Sequence, residues 1–174
     1  MRRLNVNKFS DIYKVRVMHE KDVPMINDMT RKNVQFYKFC GRENVEADIL
    51  NDLTICPPGK NLCDKYYVGF FDGEILLAVL DLIDGYPNEK TAYIGFFMMN
   101  IEYQGKEIGT KIVSSLLGYL KDVGFECMRL GYDKENPQSK HFWKKNQFLD
   151  VKEVAQDGGI IVVAERSLIG KLTV

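Results

Sequence analysis

The stretch 91–124 does most to limit what this chain can fold into. Thr91 to Asn100 (TAYIGFFMMN) is a strand-like run that is apolar on both faces, the pattern of a strand in the middle of a sheet. The loop Gln104-Gly105-Lys106-Glu107-Ile108-Gly109-Thr110 comes next. Ile108, Ile112, Val113, Leu116, Leu117 and Leu120 then recur at helical spacing, and the helix ends near Gly124. No Ser, Thr, Asp or Asn stands directly before this helix to cap it. Its leading N–H groups are left for another acceptor, and with small Gly105 and Gly109 beside them a phosphate suits them.

The rest of the chain supplies partners for this unit. Tyr13 to His19 alternates, so a half-buried strand is expected with Tyr13, Val15 and Val17 on one side. Asp22 is placed to cap a helix with Pro24 in its first turn, and Val23, Ile26, Met29, Asn33, Val34 and Tyr37 lie along one broad face. Glu43 to Leu53 reads as a shorter helix with Val45, Ile49, Leu50 and Leu53 inward, closed by Pro57-Pro58-Gly59. Lys65–Phe71 and Glu74–Ile83 form a hairpin about Asp72-Gly73. Phe125 to Tyr132 is a strand that a right-handed crossover makes parallel to Thr91–Asn100. Asn136 caps a last helix with Pro137 at its first position, and Gln147–Val154 and Ile160–Leu168 are two strands around Gly158-Gly159. This order predicts a mixed sheet flanked by helices in one α+β domain over residues 1–174.

Bulk properties remove several classes of function. Lys plus Arg and Asp plus Glu are 24 each, so no overall field attracts nucleic acid. No apolar h-region follows Met1-Arg2-Arg3-Leu4-Asn5, and no apolar run is long enough to span a bilayer. The four cysteines form no C-x-x-C pair and there are two histidines, so no metal site is expected. Four reduced thiols in a cytoplasmic protein are the expectation, with a Cys56–Cys63 disulfide as the alternative. Neither a Gly-x-x-x-x-Gly-Lys P-loop nor a Gly-x-Gly-x-x-Gly fingerprint is present.

The order of elements resembles the GNAT superfamily of acetyl-CoA-dependent N-acetyltransferases, most securely over residues 91 to 151. The family motif is Gln or Arg, two residues, Gly, one residue, Gly or Ala. Gln104 and Gly109 match it, and Glu107 stands at the first Gly position. Glu102-Tyr103-Gln104-Gly105-Lys106 after a strand, Asn136-Pro137, and Phe142-Trp143-Lys144-Lys145 leading to Phe148 extend the likeness. The resemblance implies a GNAT-like, mostly antiparallel sheet in three α/β/α layers. It implies acetyl-CoA as co-substrate without a metal, and a primary amine as acceptor, on a small molecule or a protein. It implies direct attack in a ternary complex, no nucleic acid and no membrane, and allows a homodimer.

The resemblance also assigns residues. Gln104, Gly105, Lys106, Ile108, Gly109 and Thr110 would bring N–H groups to the CoA pyrophosphate, with the Thr110 hydroxyl and the charge of Lys106 or Lys111 in support. The N–H groups of Met98 and Met99 would meet the pantetheine or the thioester carbonyl, where an oxyanion develops. Asn136 would touch the pantetheine as well as cap its helix. Glu107 is expected to point to solvent, since aimed at a phosphate it would repel it.

An ammonium has no lone pair, so the acceptor must first lose a proton. Glu102 is the carboxylate nearest in sequence to the reacting end of the strand, with Asp81 and Asp84 as alternatives. Trp143 stands where relatives often carry a Tyr that protonates the leaving thiolate; an indole is no practical acid, and Tyr132 is the substitute. Lys140, Lys144, Lys145 and His141 are expected on a solvated helix face, away from Phe142 and Trp143. No Cys has a His–carboxylate neighbourhood in the sequence, so an acyl-Cys route has no support. The acceptor should enter between the first two helices and the far side of the sheet, where Glu43, Glu46 and Asp48 hint at a cation. The alternative is an acyl-CoA-binding or partner-binding module without turnover, which Glu107 and Trp143 favour. A third reading is an oligomerising structural protein that binds no nucleotide.

Overall fold

A computed structural model describes residues 3–40 and 46–170. The strands are β1 (Lys14–Val17), β2 (Lys65–Asp72), β3 (Ile75–Ile83), β4 (Thr91–Met99), β5 (Cys127–Asp133), β6 (Leu149–Gln156) and β7 (Gly159–Ser167). The helices are α1 (Val23–Thr30), α2 (Val34–Cys40), α3 (Glu46–Asp52), α4 (Ile108–Asp122) and α5 (Pro137–Lys145). One sheet runs β1-β2-β3-β4-β5-β7-β6. Every neighbouring pair is antiparallel except β4–β5, which the α4 crossover makes parallel. β4 is fourth of the seven strands, as its two apolar faces require.

Two clusters cover the two faces. Ile112, Val113, Leu116, Leu117 and Leu120 of α4 pack with Val68, Phe70, Leu80 and Leu82, each buried side chain contributing roughly 1.5–3 kcal/mol. Ile26 and Met29 of α1 and Ile49 of α3 pack with Tyr67, Phe71, Val79 and Met98 on the other face. A mixed, mostly antiparallel sheet between helical layers is the architecture the resemblance implies.

Several local expectations change. The first helical face does not run unbroken to Tyr37. α1 ends at Thr30, whose hydroxyl donates back to the Ile26 carbonyl at 2.9 Å. Asn33 then turns its amide away, donating to the Met99 carbonyl at 3.2 Å, and Val34 is left exposed. Asp22 does not cap α1 with its side chain; it accepts from Arg16 Nη1 and Nη2 at 2.9 and 2.8 Å and from His19 N–H at 2.9 Å. The β2–β3 loop is Gly73-Glu74, since Asp72 already pairs with Ile75 and Gly73 takes the positive φ of 56°. Val17 is exposed and Met18 buried in its place, and Leu50 faces outward from α3. Glu43 and Val45 lie outside the described residues.

The feature that makes a site is a split. β4 pairs with β5 only from Thr91 to Ile94, whereas its ladder with β3 continues to Met99. Beyond Ile94 one edge of a central strand is unpaired with its neighbour.

Candidate functional site

A cleft of about 280 Å³ opens at this split. Its walls are the end of β4 (Phe97, Met98, Met99), the loop and first turn of α4 (Gln104, Gly105, Glu107, Gly109, Thr110), α5 from Gln138 to Lys145, and Asn33 and Phe36 across the mouth.

At the α4 end of the cleft the first backbone N–H groups of the helix have no side-chain cap. Lys111 N–H makes the first helical bond, to Glu107 C=O at 3.0 Å. The N–H groups of Ile108, Gly109 and Thr110 precede it, and no side chain caps them. Gly105 holds φ 71°. Gly109 is buried, and a Cβ there would stand 3.1 Å from Phe142 Cε2 and 3.3 Å from Met99 Cγ and Sδ. A bare Cα at 109 is what lets α4, α5 and β4 meet. The conformation at 107 explains why the family motif has Gly there: Glu107 holds φ 61°, left-handed. Its carboxylate does not simply face solvent; it accepts from Lys145 of α5 in the cleft wall.

Gln104 works through its side chain. Nε2 donates to Asn33 Oδ1 at 2.7 Å and Met99 C=O at 3.3 Å, and Oε1 accepts from Gln138 Nε2 at 2.8 Å. One amide thereby ties the loop to α5, β4 and the residue before α2. Its N–H, expected for pyrophosphate, donates to Ile101 C=O at 3.3 Å instead. Lys106 lies outside the cleft wall with Nζ 5.2 Å from the Tyr103 ring centre. The Thr110 hydroxyl is at the wall, 3.5 Å from Asn146 Nδ2.

On β4 the choice of donors shifts by one residue. Asn100 N–H donates to Leu77 C=O at 2.8 Å, towards β3. Alternation turns the Met98 N–H the same way and those of Phe97 and Met99 to the open edge. Of the two donors expected on β4, the Met99 N–H faces the open edge and the Met98 N–H faces β3, while that of Phe97 also faces the open edge.

The expected proton-transfer residues lie elsewhere. Glu102 is 65% exposed in a 3-10 turn (Ile101–Tyr103), 3.6 Å from Lys32 Nζ and outside the cleft lining. Tyr132 donates to Asp150 Oδ1 at 2.9 Å; burial first, then this bond, pushes its phenol far above the ordinary value. A phenol held by a carboxylate outside the cleft is poorly placed to give its proton to a thiolate. Asn136 is buried and its Oδ1 caps α5 through Ser139 N–H at 3.1 Å, as its cap reading requires, and it does not line the cleft. Asp84 is buried at the end of the β3 ladder, away from the cleft.

Trp143 is buried against Phe97, Phe142 and Phe148, with ring centres 5.8, 4.9 and 5.1 Å away. It packs the cleft wall rather than lending an acid. His141 is exposed, as expected of a solvated face, and that face also borders the cleft. Gln138, His141 and Lys145 recur at three and four residues, the spacing of one helical face; that face meets the cleft.

The Acetyltransferase (GNAT) family model matches residues 29–148. The chain belongs to the GNAT family of acetyltransferases. No curated protein matches it in sequence. Solved structures carry the same fold. An acetyltransferase from Thermus thermophilus superposes with TM-score 0.72 at 19% identity, over 89% of this chain and 96% of that one. The PaiA N-acetyltransferase of Thermoplasma acidophilum, in complex with coenzyme A, gives 0.63 at 17%, over 87% and 97%. The spermidine N-acetyltransferase of Vibrio cholerae, in complex with CoA and spermine, gives 0.66 at 14%, over 90% and 95%.

Other features of this GNAT chain bear on chemistry. All four cysteines are free, so the Cys56–Cys63 disulfide is not formed. Among the described residues no helix is long and apolar enough to cross a membrane, and no group of three His, Cys, Asp or Glu is arranged for a metal.

Proposed function

We propose that the protein transfers an acetyl group from acetyl-CoA to a primary amine by direct attack in a ternary complex. The observation that carries this reading is the uncapped start of α4 opening onto a cleft whose other wall is the unpaired edge of β4. The first suits a pyrophosphate, through N–H groups and the positive end of the helix. The second suits an extended chain of amides, added as a strand is added to a sheet edge. The Phe97 and Met99 N–H groups facing that edge are oriented to stabilise an oxyanion on the thioester carbonyl.

Acetyl-CoA brings an activated acyl group whose thiolate, with a thiol pKa of about 8.5, is a fair leaving group near neutral pH. The protein's task is positioning and electrostatics. Phe97 and Phe142, stacked at 5.7 Å, and buried Trp143 keep the wall apolar. The relative solved with CoA and spermine supports an amine as acceptor. Four free thiols suit a reducing compartment such as the cytoplasm.

The test is in two stages. Saturating CoA should move the amide NMR signals of Gly105, Ile108 and Gly109, and signals that stay put refute the cofactor site. Acetyl-CoA with a panel of amines should then release thiol. The Glu107–Lys145 contact and Trp143 favour one other reading, an acyl-CoA-binding module without turnover. It predicts the shifts without any thiol release.

A further inference from the structure

The cleft carries a chain of three carboxamides that its chemistry leaves unused. Gln138 Nε2 donates to Gln104 Oε1 at 2.8 Å, and Gln104 Nε2 donates to Asn33 Oδ1 at 2.7 Å. All three side chains line the cleft, and each comes from a different wall: α5, the loop before α4, and the turn between α1 and α2. The chain of bonds therefore reaches from one side of the opening to the other.

Its two ends differ. Asn33 is buried, and its Nδ2 donates to the Met99 carbonyl at 3.2 Å and lies 3.5 Å from the Met29 carbonyl. Gln104 Nε2 adds a second bond to the Met99 carbonyl, at 3.3 Å. Gln104 is half-buried, Gln138 is exposed, and the bond between them is exposed too. The fold does not depend on that last bond. The Asn136 cap and buried Trp143 already fix α5, and Asn33 and Met99 already hold Gln104. When it breaks, both groups turn to water and no buried polar group is orphaned.

The walls it joins are those between which an extended ligand lies. The uncapped start of α4 and the open edge of β4 face the same cleft, and α5 forms its far side. A ligand resting on both of the first two runs between the α4 loop and α5. Each carboxamide both donates and accepts and carries no charge. That suits the amides of a pantetheine arm rather than a phosphate.

We propose that Asn33, Gln104 and Gln138 form a strap anchored at Asn33, which opens at Gln138 to admit the pantetheine arm of acetyl-CoA and closes again over it. The inference rests on the CoA-binding reading. Only hydrogen bonds exchange in this step. A single exposed bond between neutral groups favours the closed form by a factor of about 2 to 12. Exposed side chains turn within picoseconds to nanoseconds, so the open fraction scales the rate of entry. The same closure over bound coenzyme scales the rate of exit. The strap thus slows both rates alike and leaves affinity nearly unchanged.

The test follows CoA binding to the chain of 174 residues by stopped flow, in the wild type, Gln138→Ala and Gln138→Met. The second variant keeps the length of the side chain and removes the amide. Both should raise kon and koff together by about 3-fold or more, with Kd within about twofold of the wild type. In the wild type, CoA should also shift the side-chain NH2 NMR signals of Gln138. Rates that do not change overturn the proposal. So does a rise in koff alone, which marks Gln138 as an ordinary ligand contact. NH2 signals that stay put overturn it too, and they decide alone if the variants do not fold. A wild type that fails to bind CoA refutes the parent reading as well, a result distinct from these.

Discussion

Glu107→Gly should tighten CoA binding. Glu107 holds φ 61°, in the left-handed region, at a cost of about 1–2 kcal/mol for an L-residue. Glycine removes that strain, but its extra freedom in the unfolded chain returns roughly 0.5–1 kcal/mol. The ion pair with Lys145, its side chains 54% and 44% exposed, takes away at most about 1 kcal/mol. Stability should therefore change by no more than about 1.5 kcal/mol in either direction. The effect on affinity has a definite sign. A phosphate on the N–H groups of Ile108 to Thr110 would sit on the order of 5 Å from the carboxylate, where two unit charges in water interact by about 0.8 kcal/mol. With two charges on a pyrophosphate the repulsion reaches roughly 1.5 kcal/mol, and its removal makes Kd about tenfold lower. Lys145, released from Glu107, adds to the gain. Calorimetry in low and high salt measures it: the gain should shrink in about 1 M salt, where screening acts within some 3 Å. Glu107→Gln should tighten CoA without relieving the backbone. An unchanged or weaker affinity in Glu107→Gly refutes the phosphate site at this helix end.

Three further outcomes follow from the same structure. Gln147, in the turn between α5 and β6, holds φ 63°; Gln147→Gly should raise stability by up to about 1 kcal/mol in denaturant titration, without touching CoA affinity. Gly109→Ala forces a methyl to within 3.1–3.3 Å of Phe142 and Met99; it should cost about 1–3 kcal/mol and weaken CoA binding together, and unchanged melting would contradict the packing. Burial pushes the Asp81 carboxyl of β3 up to about 6 in the folded chain against 3.8 ordinarily, so the folded state holds this proton more tightly. Its contribution is full below the ordinary value and lost as pH rises through 6. Between pH 5 and 7.5 the wild type should lose about 1.4 kcal/mol, or some 3–5 °C in Tm, relative to Asp81→Asn, and a gap that does not move with pH contradicts the assignment.

Much of this was legible in the chain because local pattern and local structure agreed. The apolar run 91–100 is the central strand, and the helical repeat from Ile108 is α4. Asn136 and Pro137 start α5 as cap and first residue. What escaped depends on reach and register. Asn33 stays on the buried side, 3.5 Å from the Met29 carbonyl, but its amide also binds Met99, 66 residues away in sequence, a contact that periodicity cannot show. The Phe97 N–H, not that of Met98, points to the open edge because the β3 register decides which N–H groups face outward. His141 stays exposed, as expected, but that the same face borders the cleft was not legible from α5 alone. The Gln138–His141–Lys145 spacing marks one exposed polar face of α5, and that face borders the cleft. The Asp22 side chain takes Arg16 rather than a helix end because two bonds from a guanidinium outweigh one from an N–H.

The gap in the ladder past Ile94 also links occupancy to endurance. Main-chain groups left without a neighbouring strand exchange their hydrogens with water sooner than the rest of the sheet. A molecule that lends its own amides to Phe97 and Met99 would slow that exchange and raise the melting temperature by mass action, in proportion to how tightly it is held. Hydrogen exchange at these two positions thus serves as a gauge of ligand affinity that needs no turnover and no knowledge of the acceptor.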